Sequence, residues 1–238
     1  MVSALPCVQT KDLQMPKNEP PARTSYRHGN LREALIEAAI QLVEEVGPEN
    51  VSVREAAKRA GVSPGAPFRH FANKTALMTA VAEQAMALFR AEVVKAVEGV
   101  ASNDPLARFE AVGSAYLHWA IHNPTHFQII STRSLIDWSS SESLRADNML
   151  VRSLMEQAIT DAQQQGKLRS TNIAQTHIAG RAIVYGLGRM YIDGHFAQWA
   201  VDGETAENTA QSVLKEFVSL LANSEPSPGK ATGTSRKN

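Results

Sequence analysis

Cys7 is the only cysteine, so no disulfide can close within the chain, which fits a reducing cytoplasm. No uninterrupted apolar run is long enough to cross a bilayer. The N-terminus lacks the basic-then-apolar pattern of a secretory signal. A membrane partner is therefore not expected, and the expected location is the cytoplasm. Neither charge sign is in excess: 24 Lys and Arg face 24 Asp and Glu. A globally basic surface for polyanions is thereby excluded, and charge must be judged locally. Catalytic signatures are missing too. There is no Gly-x-Ser-x-Gly elbow, no HExxH and no Walker-type loop. The only GxG, Gly186-Leu-Gly188, lies inside an expected helix and is no phosphate loop. No cofactor and no catalytic residues are expected. Apolar residues never alternate with a period of two for long enough to make a sheet.

What remains reads as helix. Residues 1–25 hold Pro6, Pro16, Pro20 and Pro21 without helical periodicity and read as a flexible arm. Residues 223–238 are rich in Pro, Gly, Ser, Thr and Lys and read as a disordered tail. Between them, Leu31, Leu35, Ala38, Leu42 and Val46 mark one face of a first helix, which Gly47-Pro48 stops. Ser52 and Glu55 form a capping-box pattern at the start of a second. Gly61 ends it. Ser63 is placed to cap a third, with Pro64 at its first position. Asn73 is placed to cap a long fourth helix, from Lys74 to about Val100. Further helices are expected near 105–123, 125–132, 143–165, 172–193 and 205–222. Their breaks are Asn103-Asp-Pro105, Pro124, Ser139-Ser-Ser141, Gly166 and Asp202-Gly203.

The segment from Val51 to Lys74 has the parts of a helix-turn-helix. Small Ala56 and Ala57 let a second helix pack close. Gly61 tolerates the turn, and Val62 pins the two helices together. Ser63, Gly65 and Ala66 are small or polar, as base-facing positions should be. Phe68 and Phe71 fit the buried side. Pro67 removes an intrahelical hydrogen bond and crowds the carbonyl of Ser63, so the first turn should be distorted or 3₁₀-like. Its ring could touch a thymine methyl. From Ala22 to Met78 there are eight cations and six anions, yet every charge from Lys58 to Met78 is positive. A local basic face of that kind suffices for phosphate contact.

Gly61-Val62-Ser63-Pro64-Gly65, then Phe68-Arg69-His70-Phe71, then Asn73-Lys74 resemble the DNA-binding domain of the tetracycline-repressor (TetR) family. The resemblance covers about a quarter of the chain, from Arg27 to Ala82. It implies an all-α fold with a three-helix helix-turn-helix domain at 26–78 and a helical ligand-binding and dimerisation domain at 79–222. It also implies that Ser63, His70 and Lys74 contact phosphates, while Gly65, Ala66 and Arg69 lie near bases. Arg27, Ser52, Pro67 and Phe68 complete the expected DNA-facing set. The chain departs from the family pattern at Ala66, Pro67 and Phe68. Two hydroxyls that usually touch DNA are lost there, which shifts direct readout toward Arg69.

The rest of the chain is similar to one branch of that family, through Ala115-Tyr-Leu-His-Trp-Ala-Ile-His-Asn-Pro-Thr-His-Phe127 and Val184-Tyr-Gly-Leu-Gly-Arg-Met-Tyr-Ile-Asp-Gly194. That likeness implies that the last two helices pair with those of a second subunit. Val213, Leu214, Phe217 and Leu221 are the expected interface. Phe89, Tyr116, Trp119, Phe127, Trp138, Met155, Tyr185 and Met190 are the expected pocket, core packing being the ordinary alternative for any one of them. Arg152, Arg181 and Arg189 read as salt-bridged or surface residues, a buried one hinting at an anionic ligand. His118, His122 and His126 recur every four residues. Pro124 breaks the helix before His126, and no cysteine or nearby carboxylate completes a set, so no metal is expected.

Together these features describe a homodimeric, ligand-responsive transcriptional repressor, released from a near-palindromic operator in double-stranded DNA by a small-molecule effector. Two alternatives stay open. One is a constitutive architectural DNA binder without effector. The other is a metal-dependent sensor or enzyme.

Overall fold

The computed structural model describes residues 31–101, 103–169, 172–201 and 203–223. Arg27, Cys7 and nearly all of the expected arm and tail lie outside these residues. The described residues form eight α-helices and four 3₁₀ turns, with no strand among them. The helices are α1 (Leu31–Val46), α2 (Val53–Arg59), α3 (Lys74–Glu98), α4 (Pro105–His122), α5 (Pro124–Ser131), α6 (Glu142–Gln164), α7 (Ile173–Ile192) and α8 (Gly203–Leu221). None is long and apolar enough to cross a membrane.

The punctuation follows the expected chemistry. Gly47 and Gly61 adopt φ of 79° and 68°, a region open chiefly to glycine, and each closes a helix. Side-chain caps satisfy the orphan amides at several starts. Ser52 Oγ accepts from Glu55 N at 3.1 Å, and Asn73 Oδ1 from Ala76 N at 2.9 Å. Asp104 caps α4 with Pro105 in its first turn, and Ser141 caps α6. Asp137 holds the preceding loop by accepting from Ser139 and Ser140, which lowers its carboxyl pKa to about 2. At the other end of the chain Asn223, expected in the tail, is anchored. Its Nδ2 donates to Gly166 O at 2.6 Å and to Leu168 O at 3.0 Å.

Along α1 the apolar face is wider than the expected stripe. Ile36, Ala39, Ile40 and Val43 are buried along with Leu35, Ala38 and Leu42, whereas Val46 is exposed. The helix is covered by α2, α3 and α5 together, so more than one face must be apolar. The remaining helices gather around α4, which touches α3, α5, α6, α7 and α8. One continuous cluster of buried side chains runs from α1 through α8. α3 is unbroken from Lys74 to Glu98, so the domain boundary expected between Met78 and Thr79 falls inside a single helix.

His126 on α5 adds a pH dependence. Its Nε2 is buried without a hydrogen-bond partner, and burial holds its pKa below the ordinary histidine value, against the pull of Glu37 and Glu44. The unfolded chain therefore binds that proton first. Stability is full above the ordinary histidine range and falls as pH drops through it. Thermal melting from pH 8 to pH 5 should show this loss, and His126→Gln should flatten the curve.

Candidate DNA-reading turn and ligand cavity

The third element of the helix-turn-helix is shorter than expected. Ser63 and Pro64 do not open an α-helix, and only Ala66–Arg69 are helical, as a 3₁₀ turn. The cause is Pro67, which has no N–H to give to the carbonyl of Ser63. That carbonyl instead accepts from Ala66 N, three residues on, at 3.0 Å. The carbonyl of Pro67 then accepts from both His70 N and Phe71 N, at 2.8 and 2.9 Å.

This geometry exchanges the roles of two residues. Pro67 is fully buried and cannot meet a base, so its place among the DNA contacts is withdrawn. Phe68, expected to be half of the buried side, is 48 % exposed. Phe71 is buried as expected, at 3 % exposure. The exposed side therefore carries Ser63, Gly65, Phe68, Arg69 and His70, with Ala66 half-buried.

The expected basic face is thinner than the sequence suggests. Arg59 forms a bidentate pair with Glu45 of α1, which lowers the glutamate's pKa and offsets its own charge. Lys74 Nζ donates to Glu49 O at 2.5 Å, tying the start of α3 to the turn after α1. Ser52 spends its oxygen on the cap of α2. Among the described residues Arg54, Lys58 and Arg69 make no ion pair. Arg54 stands exposed on α2, a cation that the reading of the turn alone passes over.

A cavity of about 670 Å³ lies between α3, α4, α6 and α7, with Leu214 of α8 reaching its wall. Phe89, Tyr116, Trp138, Met155 and Tyr185 line it as expected. Trp119, Phe127 and Met190 do not. The Trp119 ring packs behind Phe89, with centroids 5.0 Å apart, and Phe127 is wedged between Tyr116 and Tyr185. Both are core. Met190 sits further along α7, half-buried against other core residues.

Leu214, expected at a dimer interface, faces inward. It is buried, lines the cavity and meets the face of Gly113, so it is not available to a second subunit. Val213 is exposed, and Phe217 and Leu221 are half-buried.

The polar groups of the wall come from scattered positions. Arg152 pairs with Glu156, and Arg189 with Asp193 outside the cavity, as expected for salt-bridged residues. Arg181 makes no ion pair among the described residues. Its guanidinium lies over the Tyr116 ring at 4.8 Å and the Tyr185 ring at 5.6 Å. Arg133, which the sequence reading passes over, stacks on the Trp138 ring at 3.8 Å. It sits in a 3₁₀ turn, where no helical period marks it. On α7, His177, Arg181, Val184 and Tyr185 share one face at helical spacing, a signal available in retrospect.

The histidines also differ from expectation. Among the described residues a carboxylate does complete the set. Glu207 of α8 lies beside His118 and His122, with one ligand atom from each residue within 4.8 Å of the others. Glu92 of α3 approaches His118 Nε2 at 3.8 Å. The carboxylates come from helices far apart in sequence, which is why spacing alone missed them.

The model for the N-terminal domain of "Bacterial regulatory proteins, tetR family" matches residues 35–81. A model described as "Tetracyclin repressor-like, C-terminal domain" matches residues 109–215. The chain belongs to the TetR family of bacterial regulators. It is 36 % identical over 81 residues to the HTH-type transcriptional regulator BetI of Yersinia pestis, a match covering 34 % of this chain and 41 % of that relative. The chain thus spans well under half the length of the curated relatives it matches. Structural likeness extends further. A protein of unknown function from Rhodococcus sp. RHA1 superposes with a TM-score of 0.67 at 25 % identity, over 84 % of this chain and all of that one. AibR, solved in complex with isovaleryl coenzyme A and operator DNA, superposes with a TM-score of 0.59 at 20 % identity, over 80 % and 97 % of the two chains. That last likeness concerns the fold.

Proposed function

We propose that this chain is a homodimeric repressor that leaves its operator when a small molecule enters the cavity. One observation carries the reading: a single helix serves both sites. α3 begins at the reading turn with Lys74, and its Met86 and Phe89 form part of the cavity wall. Twelve residues separate Lys74 from Met86, roughly 18 Å of rigid helix. A ligand that moves the wall therefore moves the reading turn. DNA and effector would oppose each other by linkage, each weakening the other by the same factor. The cavity also argues against the alternative of an architectural DNA binder without effector.

On this reading residues 26–78 read DNA and 79–222 bind ligand and partner. Phe68, Arg69 and His70, on the exposed side of the turn, take the place in the groove that Pro67 cannot. Two such turns in a dimer would enter major grooves about 34 Å apart. Lys74, with Ser63, would hold phosphates.

Dimerisation is supported by apolar side chains left uncovered on the last two helices. Ile178 on α7 is 68 % exposed and Leu220 on α8 is 60 % exposed, with Val213 also uncovered. Together with Phe217 and Leu221 they would pack against the same helices of a second copy.

An operator selected from random DNA gives the first test. Arg69→Ala should cost about 1–3 kcal/mol at particular base pairs, while Lys74→Ala should weaken all sequences alike and reduce the salt slope by about 1. The same uniform loss in both variants would sink the assignment. For the dimer, Leu220→Asp should leave helix content intact yet sediment as a monomer. An unchanged dimer would rule out this face.

A further inference from the structure

We infer that the effector is an amphipathic organic anion, its apolar body in the cavity and its acidic head held at the rim by Arg133 and Arg181. The inference rests on the ligand-responsive reading above. The wall is largely apolar: Met86, Phe89, Phe109, Val112, Met155 and Val184 surround a space of drug-sized volume. The rim is not balanced in charge. Among the described residues the wall's only carboxylate is Glu156, and Arg152 and His177 already engage it at 2.8 and 3.2 Å. Among the described residues no carboxylate lies within ion-pair distance of Arg133 or Arg181, whose nearest partners are the Trp138 and Tyr116 rings. Both are exposed, so they stand at the mouth rather than in the floor.

Each guanidinium lies over an aromatic ring, Arg133 at 3.8 Å from the Trp138 centroid and Arg181 at 4.8 Å from that of Tyr116. Arg181 also reaches the Tyr116 hydroxyl, and a guanidinium has five N–H donors, so donors remain on both arginines for an acidic group. The Trp138 indole N–H is buried without a partner, a further donor in the same wall. The two arginines also feel each other. Burial lowers the Arg133 pKa, and the charge of Arg181 lowers it further. An anion between them would relieve that repulsion and make charge-assisted hydrogen bonds. A cationic or neutral ligand would do neither.

The test uses the full chain and two probes with one aromatic body. 8-Anilinonaphthalene-1-sulfonate carries an acid, whereas N-phenyl-1-naphthylamine does not. Both brighten on entering an apolar site, and each is titrated into wild type, Arg133→Gln, Arg181→Gln and Arg181→Lys. The sulfonate should bind at least about fivefold tighter than the amine. Either glutamine variant should remove that preference and leave amine binding unchanged, while Arg181→Lys keeps part of it. If both probes bind alike, or the glutamine variants keep the preference, the anion inference is overturned and the cavity reading stands. If neither probe binds, both fall.

A separate cluster carries a second inference, independent of the cavity: His118, His122 and Glu207 form a divalent transition-metal site joining α4 to α8. Two histidines one turn apart on an exposed helix face can chelate an ion of the zinc, nickel or copper type. Here both histidines turn Nδ1 toward Glu207, His122 Nδ1 lying 4.0 Å from its Oε1; that nitrogen also lies 2.9 Å from the carbonyl of His118, a contact that a bound metal would replace. Glu207 supplies a third ligand, its Oε1 lying 3.6 Å from His118 Nδ1. Zinc chloride is titrated into the full chain by calorimetry. One ion per chain should bind, and His122→Ala and Glu207→Gln should each weaken it roughly tenfold or more. No binding, or equal binding by the variants, would overturn the site.

Discussion

Six consecutive residues of α3, Leu77 to Ala82, are buried, so the helix is enclosed on every side at that point. The rest of the structure depends on this enclosure. A surface helix needs only one apolar stripe, whereas α3 must satisfy α1 on one side and α4, α5 and α6 on others. It cannot slide or rotate without disturbing all of them, because a close-packed interior transmits displacement rather than absorbing it. The reading turn and the cavity wall are two ends of one strut.

The turn itself is built around a residue that cannot donate a hydrogen bond. Pro67 forces the preceding carbonyl to bond three residues on, tightens the turn into a 3₁₀ segment and takes the buried position. Phe68 is displaced outward as a consequence. The exposed chemistry of this turn therefore differs from what its own hydrophobic pattern suggests: Phe68 and Arg69 lie on the open side, while Pro67 is buried. With Arg59 neutralised by Glu45, the charge that remains for DNA is concentrated on few side chains.

At the other end of α3 the cavity combines an apolar interior with a cationic mouth. The stacked arrangement of Arg133 on Trp138 and Arg181 over Tyr116 holds two flexible side chains in place at modest entropic cost, since the rings they cover are themselves held by the core. The same tyrosine packs edge-on against Phe89 of α3, at 5.4 Å between centroids. Whatever binds at the mouth is thus one aromatic contact away from the helix that carries the reading turn.

The amino-acid sequence alone determined the helical class, the order of elements and most of their ends. Those features depend on local chemistry: Ser52 and Asn73 cap their own helices, Gly47 and Gly61 take positive φ, and apolar residues recur with the helical period. It also determined the family resemblance, because the turn residues and Asn73-Lys74 sit within one short segment. The tertiary structure decided which side of each residue faces what. Pro67 rather than Phe68 is buried, Leu214 points into the cavity rather than out to a partner, and Trp119 and Phe127 are core rather than wall. It alone brought Glu207 to His118 and His122, and Arg133 to the same cavity mouth as Arg181. Periodicity assigns a residue to a helix face, but which neighbour covers that face is settled by helices arriving from distant parts of the chain.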